Sequence, residues 1–113
     1  MKTNVQSTSI TAYRANDLSE SREIVAREIL RLTKSNKPAF IRLVADNIKK
    51  QKSDVSGRFH DLRELYPEGF LIDGIRYRME YAGQVFDPKS GKTGQNVQSW
   101  KLITVNQPQT IFG

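Results

Sequence analysis

A chain of 113 residues with 37% apolar content can bury one modest core and has no room for a second. Its formal net charge of +6 favours a polyanionic partner, whether nucleic acid, an anionic membrane or an acidic protein, although solubility alone also accounts for such a charge. The absence of cysteine excludes disulfides, thiolate metal sites and a cysteine nucleophile. The opening MKTNVQSTSITAYRAND contains no apolar run of a secretion signal, and no stretch approaches the roughly 18 apolar residues of a membrane span. A soluble, cytoplasmic chain with no membrane partner is the expectation.

Residues 1–16 read as a polar tail with a short extended piece at Ser9 to Tyr13. Residues 107–113 read as a second tail, in which Ile111 and Phe112 are the apolar groups, leaving one domain over residues 17–106. A first helix is expected from about Ser19. Asp17 and Ser19 both suit the N-cap, and Asp17 with Glu20 has the spacing of a capping box. Val25, Ile29 and Leu32 form its apolar stripe, widened by Ile24 and Leu30, and it ends near Ser35 or Asn36.

Pro38 suits the first turn of a second helix, because its missing N–H costs nothing there. Phe40, Ile41, Val44, Ala45 and Ile48 make that helix's apolar face, which stops at the basic KKQK run of residues 49–52. Ser53 is a good N-cap for a third helix, and Asp54 suits its positive start. Val55, Phe59, Leu62 and Leu65 are expected to form its buried stripe, and Pro67 and Gly69 to end it.

From Phe70 the period changes to that of a strand. Ile75, Tyr77, Met79 and Tyr81 alternate with Arg76, Arg78, Glu80 and Ala82. The turn-rich DPKSGKTGQN leads to a second strand, VQSWKLITV, so the pair reads as a long antiparallel hairpin. The fold class is therefore α+β, three helices followed by a hairpin.

Gly91, Lys92 and Thr93 resemble the end of a phosphate-binding loop. That loop needs an earlier glycine, where this chain has Phe86, and a helix after it, where this chain has a strand pattern. The triplet is instead the tip of the hairpin, and no cofactor is expected.

The stretch LVADNIKKQKSDVSGRFHDLREL reads as helix, short turn, helix, with Ala45 small at the crossing and Ile48, Val55, Phe59 and Leu62 closing the core. With an apolar helix before it and a hairpin after it, the chain resembles the winged helix-turn-helix DNA-binding family, and more closely small phage and bacterial winged-helix proteins. The likeness covers about residues 19–105. It rests on the third helix, SDVSGRFHDLREL, and on the turn SGKTGQNVQSWKL, where Trp100 and Leu102 close the wing onto the core. The family's usual glycine between the helices falls at Lys49, and ELYPEGFLIDGI is a longer connection into the wing.

The resemblance implies that the third helix enters a major groove of double-stranded DNA and that the wing contacts the neighbouring backbone or minor groove. The residues fit that chemistry. Arg58 can fork onto guanine, Ser53 and Ser56 can bond phosphate or base edges, and Gly57 leaves either a close approach to DNA or tight packing within the protein. Lys49, Lys50, Lys52, Lys89 and Lys92 can pair with phosphates. A transcription regulator of a phage or bacterium is the leading expectation. A protein-binding adaptor or inhibitor on the same scaffold, and a replication or recombination accessory factor, are the rivals. His60 is the only histidine and no carboxylate pair has catalytic spacing, so an enzyme is not expected. A protein partner and a homodimer stay open.

Overall fold

The computed structural model describes residues 18–105; both expected tails, with Asp17, lie outside them. Three helices, α1 (Glu20–Lys34), α2 (Ile41–Ile48) and α3 (Lys52–Glu64), precede three strands, β1 (Phe70–Ile72), β2 (Ile75–Asp87) and β3 (Gln95–Thr104). The strands form one antiparallel sheet in the order β1-β2-β3. The fold is α+β, with one core between the helices and the sheet. Val25, Ala26, Ile29 and Leu32 of α1, Val44 and Ala45 of α2, and Val55, Phe59 and Leu62 of α3 meet Phe70, Tyr77, Met79 and Leu102 there.

α1 matches its pattern closely, with Ser19 at the N-cap and Ser35 at the C-cap. Thr33 ties it to the sheet: its hydroxyl donates to the Ile29 carbonyl and accepts from the Leu102 N–H at 3.2 Å.

Pro38 does not open α2, which starts three residues later. The Trp100 N–H donates to the Ala39 carbonyl at 2.8 Å, so residues 38–39 run extended beside β3. A residue with no N–H suits such an edge segment, and the preceding extended geometry competes with helix there.

α3 also differs from expectation at both ends. Gln51, not Ser53, is the N-cap, and Lys52 belongs to the helix. Leu65 is 54% exposed, while Tyr66 is 7% exposed and joins the core. Ten residues from Val55 fall roughly 80° short of whole turns, so Leu65, the C-cap, leaves the stripe, and Tyr66 reaches the core from beyond the helix end.

The joint between α2 and α3 turns at Lys49, whose φ is 61° and ψ 48°. This left-handed C-cap is the position that favours glycine. The basic residue there carries the cost of a Cβ in that conformation.

The connection before the long hairpin contains a strand of its own. β1 pairs with the start of β2 through Ile72 and Ile75, and the two residues between them, Asp73 and Gly74, have φ of 53° and 82°. An Asp-Gly pair with both φ positive is the tight hairpin turn whose twist matches the strands. Along β2, Tyr77 and Met79 point into the core as their alternation requires, but Ile75 and Tyr81 are each 48% exposed because they lie beyond its rims. A bulge at Ala82 shifts the register between Tyr81–Trp100 and Gly83–Ser99. Such a bulge bends the strand and increases its local twist.

Replacing Lys49 with glycine should stabilise the domain by about 0.5–1 kcal/mol, the left-handed strain relieved less the extra backbone entropy. Urea denaturation of Lys49→Gly beside the wild type checks this. An unchanged or lower midpoint contradicts the strain assigned to Lys49.

Candidate nucleic-acid interface

Two grooves flank α3, and they divide the residues that the sequence groups together. One, of about 480 Å³, lies between the starts of α2 and α3 and the far half of the β2–β3 hairpin. Phe40, Ile41, Arg42, Lys52, Ser53, Ser56, Ser90, Gln95, Gln98 and Trp100 are among its walls. The other, of about 470 Å³, lies between α1 and α3, with Ile24, Val25, Val55, Glu20, Asp54, Lys50 and Arg58 around it. Lys52, Ser53 and Ser56 therefore face the hairpin, whereas Lys50 and Arg58 face α1. Lys49 sits exposed at the joint, and Lys89 and Lys92 are exposed in the loop joining β2 to β3.

Arg58 is the largest departure from the sequence reading. Its Nε donates to Asp61 at 3.0 Å, and Arg22 donates to the same carboxylate at 3.1 Å. The Asp61 carboxyl is under opposing pressures. Burial pushes it up, but Arg22 and Arg58 together hold it below the ordinary range. Three residues past Val55 turn a helix by about 300°, so Arg58 lies at the edge of the buried stripe and not opposite it.

Arg63, a residue not singled out from the sequence, occupies the hairpin side. Its guanidinium lies 4.9 Å from the centre of the Trp100 ring, and its Nε reaches the Phe59 carbonyl at 3.4 Å. Trp100 in turn meets Tyr81 edge-on at 5.3 Å. The signal in the sequence is the spacing of Lys52, Ser56, His60 and Arg63, which fall on one side of α3. Gln95 and Gln98, also missed by sequence reasoning, supply amides across the groove from Ser53 and Ser56.

Charge is sorted in the same way. Among the described residues, Arg22, Arg27, Arg31, Arg42 and Arg58 all hold carboxylates. Lys52, Arg63, Lys89 and Lys92 make no salt bridge among those found in the described residues. The acids of α3 fall away from the hairpin, with Asp54 and Asp61 toward α1 and Glu64 in the last turn. Neither α2 nor α3 has a side-chain cap on its first N–H groups, and α2 has no acid in its first turn. Both helix starts border the hairpin groove; Asp54 offsets the positive end of α3, so it is the start of α2 that adds to Lys52 there.

The loop at the end of the hairpin is built on Asp87. This carboxylate is wholly buried. It accepts from Arg42 Nε at 2.5 Å, from Ser90 Oγ at 2.7 Å and from the Lys89 N–H at 3.1 Å. Arg42 also pairs with Asp46 on its own helix. Its hydrogen bond to Asp87 is the main reason the carboxyl falls to about 2; burial opposes the shift, and Ser90 and the Lys89 N–H assist it. At the other end of the loop, a side chain on Gly94 would meet the Phe86 ring at 2.4 Å, and its φ is 89°. The Gly91–Lys92–Thr93 triplet thus sits between two antiparallel strands and leads into β3, not into a helix.

Gly57 lies in mid-helix, nearly opposite the buried stripe. A Cβ built there meets nothing within 4 Å, and its φ is not positive. Packing within the protein therefore does not require this glycine.

Among the described residues, no helix is long and apolar enough to cross a membrane, and no three metal-binding side chains cluster. No family model, curated protein or solved structure matches the chain.

Asp87 also sets an acid dependence. Its folded pKa lies below the ordinary 3.8, so its contribution to stability is complete above that value and is lost as pH falls through about 2. Urea midpoints measured from pH 5 downward should fall more steeply for the wild type than for Asp87→Asn. Parallel pH profiles would contradict the pairing.

Proposed function

We propose that this chain is a winged-helix protein that binds double-stranded DNA. α3 enters the major groove and the Lys89–Lys92 loop, as a wing, rests on the adjacent backbone. The observation that carries the reading is the hairpin-side groove. It gathers unpaired Lys52, two uncapped helix starts, the hydroxyls of Ser53 and Ser56 and the amides of Gln95 and Gln98, while the acids of α3 lie elsewhere. Cations without carboxylate partners are what a phosphate backbone selects, because each contact releases condensed counterions. Hydroxyl and amide groups are what base edges select. The order of elements, helix, helix, joint, helix, hairpin, agrees with the family the sequence resembles. Promoter regulation in a phage or bacterium is the role that likeness suggests.

Arg58 and Arg63 exchange roles in this reading. Arg58 would have to leave Asp61 to reach a base, whereas Arg63, stacked on Trp100, has no carboxylate partner among the described residues. A protein partner is the second reading, and one observation favours it. The α1–α3 groove carries both charge signs on its rim, Glu20 and Asp54 beside Lys50 and Arg58, which suits a peptide of mixed charge better than a polyanion.

Fluorescence anisotropy with labelled duplexes across a salt series tests the proposal. Affinity should fall as salt rises, and Arg63→Ala should weaken binding and lower the salt slope by about one unit. Arg58→Ala should do less to both. No binding at the lowest salt sinks the proposal and leaves the α1–α3 groove as the surface to pursue.

Gly57→Ala offers a test with two opposed signs. It should stabilise the free protein by roughly 1 kcal/mol, the helix-propensity gain. It should weaken duplex binding, because the new methyl group stands where the helix backbone approaches DNA. A variant that is more stable and binds equally well would remove Gly57 from the interface.

A further inference from the structure

We infer that Arg42 is a positioning residue of the DNA interface: through the buried Asp87 it holds the wing loop at a set distance from α3, so that Lys89 and Lys92 act together with that helix. The inference rests on the proposed DNA reading and adds a residue which that reading does not use.

The geometry begins in the first turn of α2. Arg42 is mostly buried, with a side-chain exposure of 16%, and its Nε donates to an Asp87 that has no exposure at all. A buried carboxylate is tolerated only when its lone pairs are met, and here one partner comes from α2 and two from the loop. The Ser90 N–H also donates to the Asp87 carbonyl at 3.2 Å. Asp87 is therefore both the last residue of β2 and the centre around which residues 88–90 fold. The Arg42 guanidinium lies 5.5 Å from the Phe40 ring, and Arg42 pairs with Asp46 one turn on, which orients it before it reaches Asp87.

No other ion pair among the described residues joins this loop to a helix. The bulge at Ala82 and the positive φ of Gly83 let the far half of the hairpin depart from the sheet's line, so strand pairing alone does not place its end. α2 is itself fixed to α3 through buried Val44, Ala45 and Val55. The route from loop to DNA-facing helix thus runs through Arg42. Its head is spent on Asp87 and Asp46, so it makes its contribution by placing the two lysines and not by meeting phosphate.

A thermodynamic cycle on duplex binding tests this. Its members are Arg42→Ala, the Lys89→Ala, Lys92→Ala pair, and the combination. If Arg42 acts by placing the lysines, its loss should lower the salt slope by about two units, as removing both lysines does. In the lysine-free background Arg42→Ala should then change nothing further. A loss that multiplies with that of the lysines, or no loss at all, overturns the inference. Should Arg42→Ala fail to fold, Asp87→Asn takes its place in the same cycle, since it keeps the shape of the buried group while removing its charge. A second measurement does not depend on DNA. Amide exchange at Lys89 and Ser90 should speed up in Asp87→Asn while α3 stays protected. Unchanged exchange in the loop overturns the inference even if the wild type binds no duplex, whereas the absence of wild-type binding alone removes only the proposed function.

Discussion

The burial of Val55, Phe59 and Leu62 decides what the rest of α3 can do. These three side chains turn one stripe of a short helix into the centre of the core, against α1 and the sheet. Every other residue of α3 is then assigned a direction by helical geometry alone. Asp54, Arg58 and Asp61 go toward α1, where Arg22 joins them. Lys52, Ser56 and Arg63 go toward the hairpin, and Gly57 goes outward. A helix whose composition looks mixed in sequence becomes two unlike surfaces once its apolar stripe is fixed.

The charges then sort by chemistry. Arginine dominates the ion pairs on α1 and α2, where its fork can hold one or two carboxylates, as Arg27 does with Glu23 and Asp73 and Arg42 with Asp46 and Asp87. Among the described residues, the lysines at the helix joint and the hairpin loop make no ion pair. Ion pairs cancel within the fold, so the net charge of +6 is carried by cations without carboxylate partners, and Lys52 among them stands at the groove beside α3. Exposed surface pairs such as Arg27–Glu23 contribute little stability individually, so their main effect is on the field, which they neutralise over α1.

Much of this is legible in the sequence. The helix stripes and the period change at Phe70 are clear because apolar spacing reports burial directly. Asp73-Gly74 carries the signal of the first hairpin, but three strand residues before it are too few to show a period. Pro38 reads as helical because local chemistry allows it there; the bridge from Ala39 to Trp100, a contact across 61 residues, overrides that preference. Leu65 misses the core because ten residues at 3.6 per turn fall short of the stripe, and Tyr66 enters it from beyond the helix end, where no helical period applies. The site is less legible. Ser53 and Ser56 lie beside the hairpin groove, but Ser53 is not the N-cap, Lys52 lies within α3, and the partner of Arg58 is Asp61 on its own helix together with Arg22 from another. Asp87 reads as a turn residue, and only tertiary structure buries it against Arg42. Ion pairs between elements leave no periodic trace in a sequence, so the cations that remain free cannot be picked out before the fold is known.

The central proposal is that α3 enters the major groove of duplex DNA with the hairpin loop on the adjacent backbone, and an amide-exchange footprint tests it most directly. Exchange would be followed on the full chain at low salt, with and without a saturating random duplex, and again at high salt. The account predicts slowed exchange over Lys52 to Gly57 and over residues 88–95, no slowing at the α1 face around Glu20 to Ile24, and loss of the footprint at high salt. Protection confined to the α1 face, or none anywhere, would contradict it.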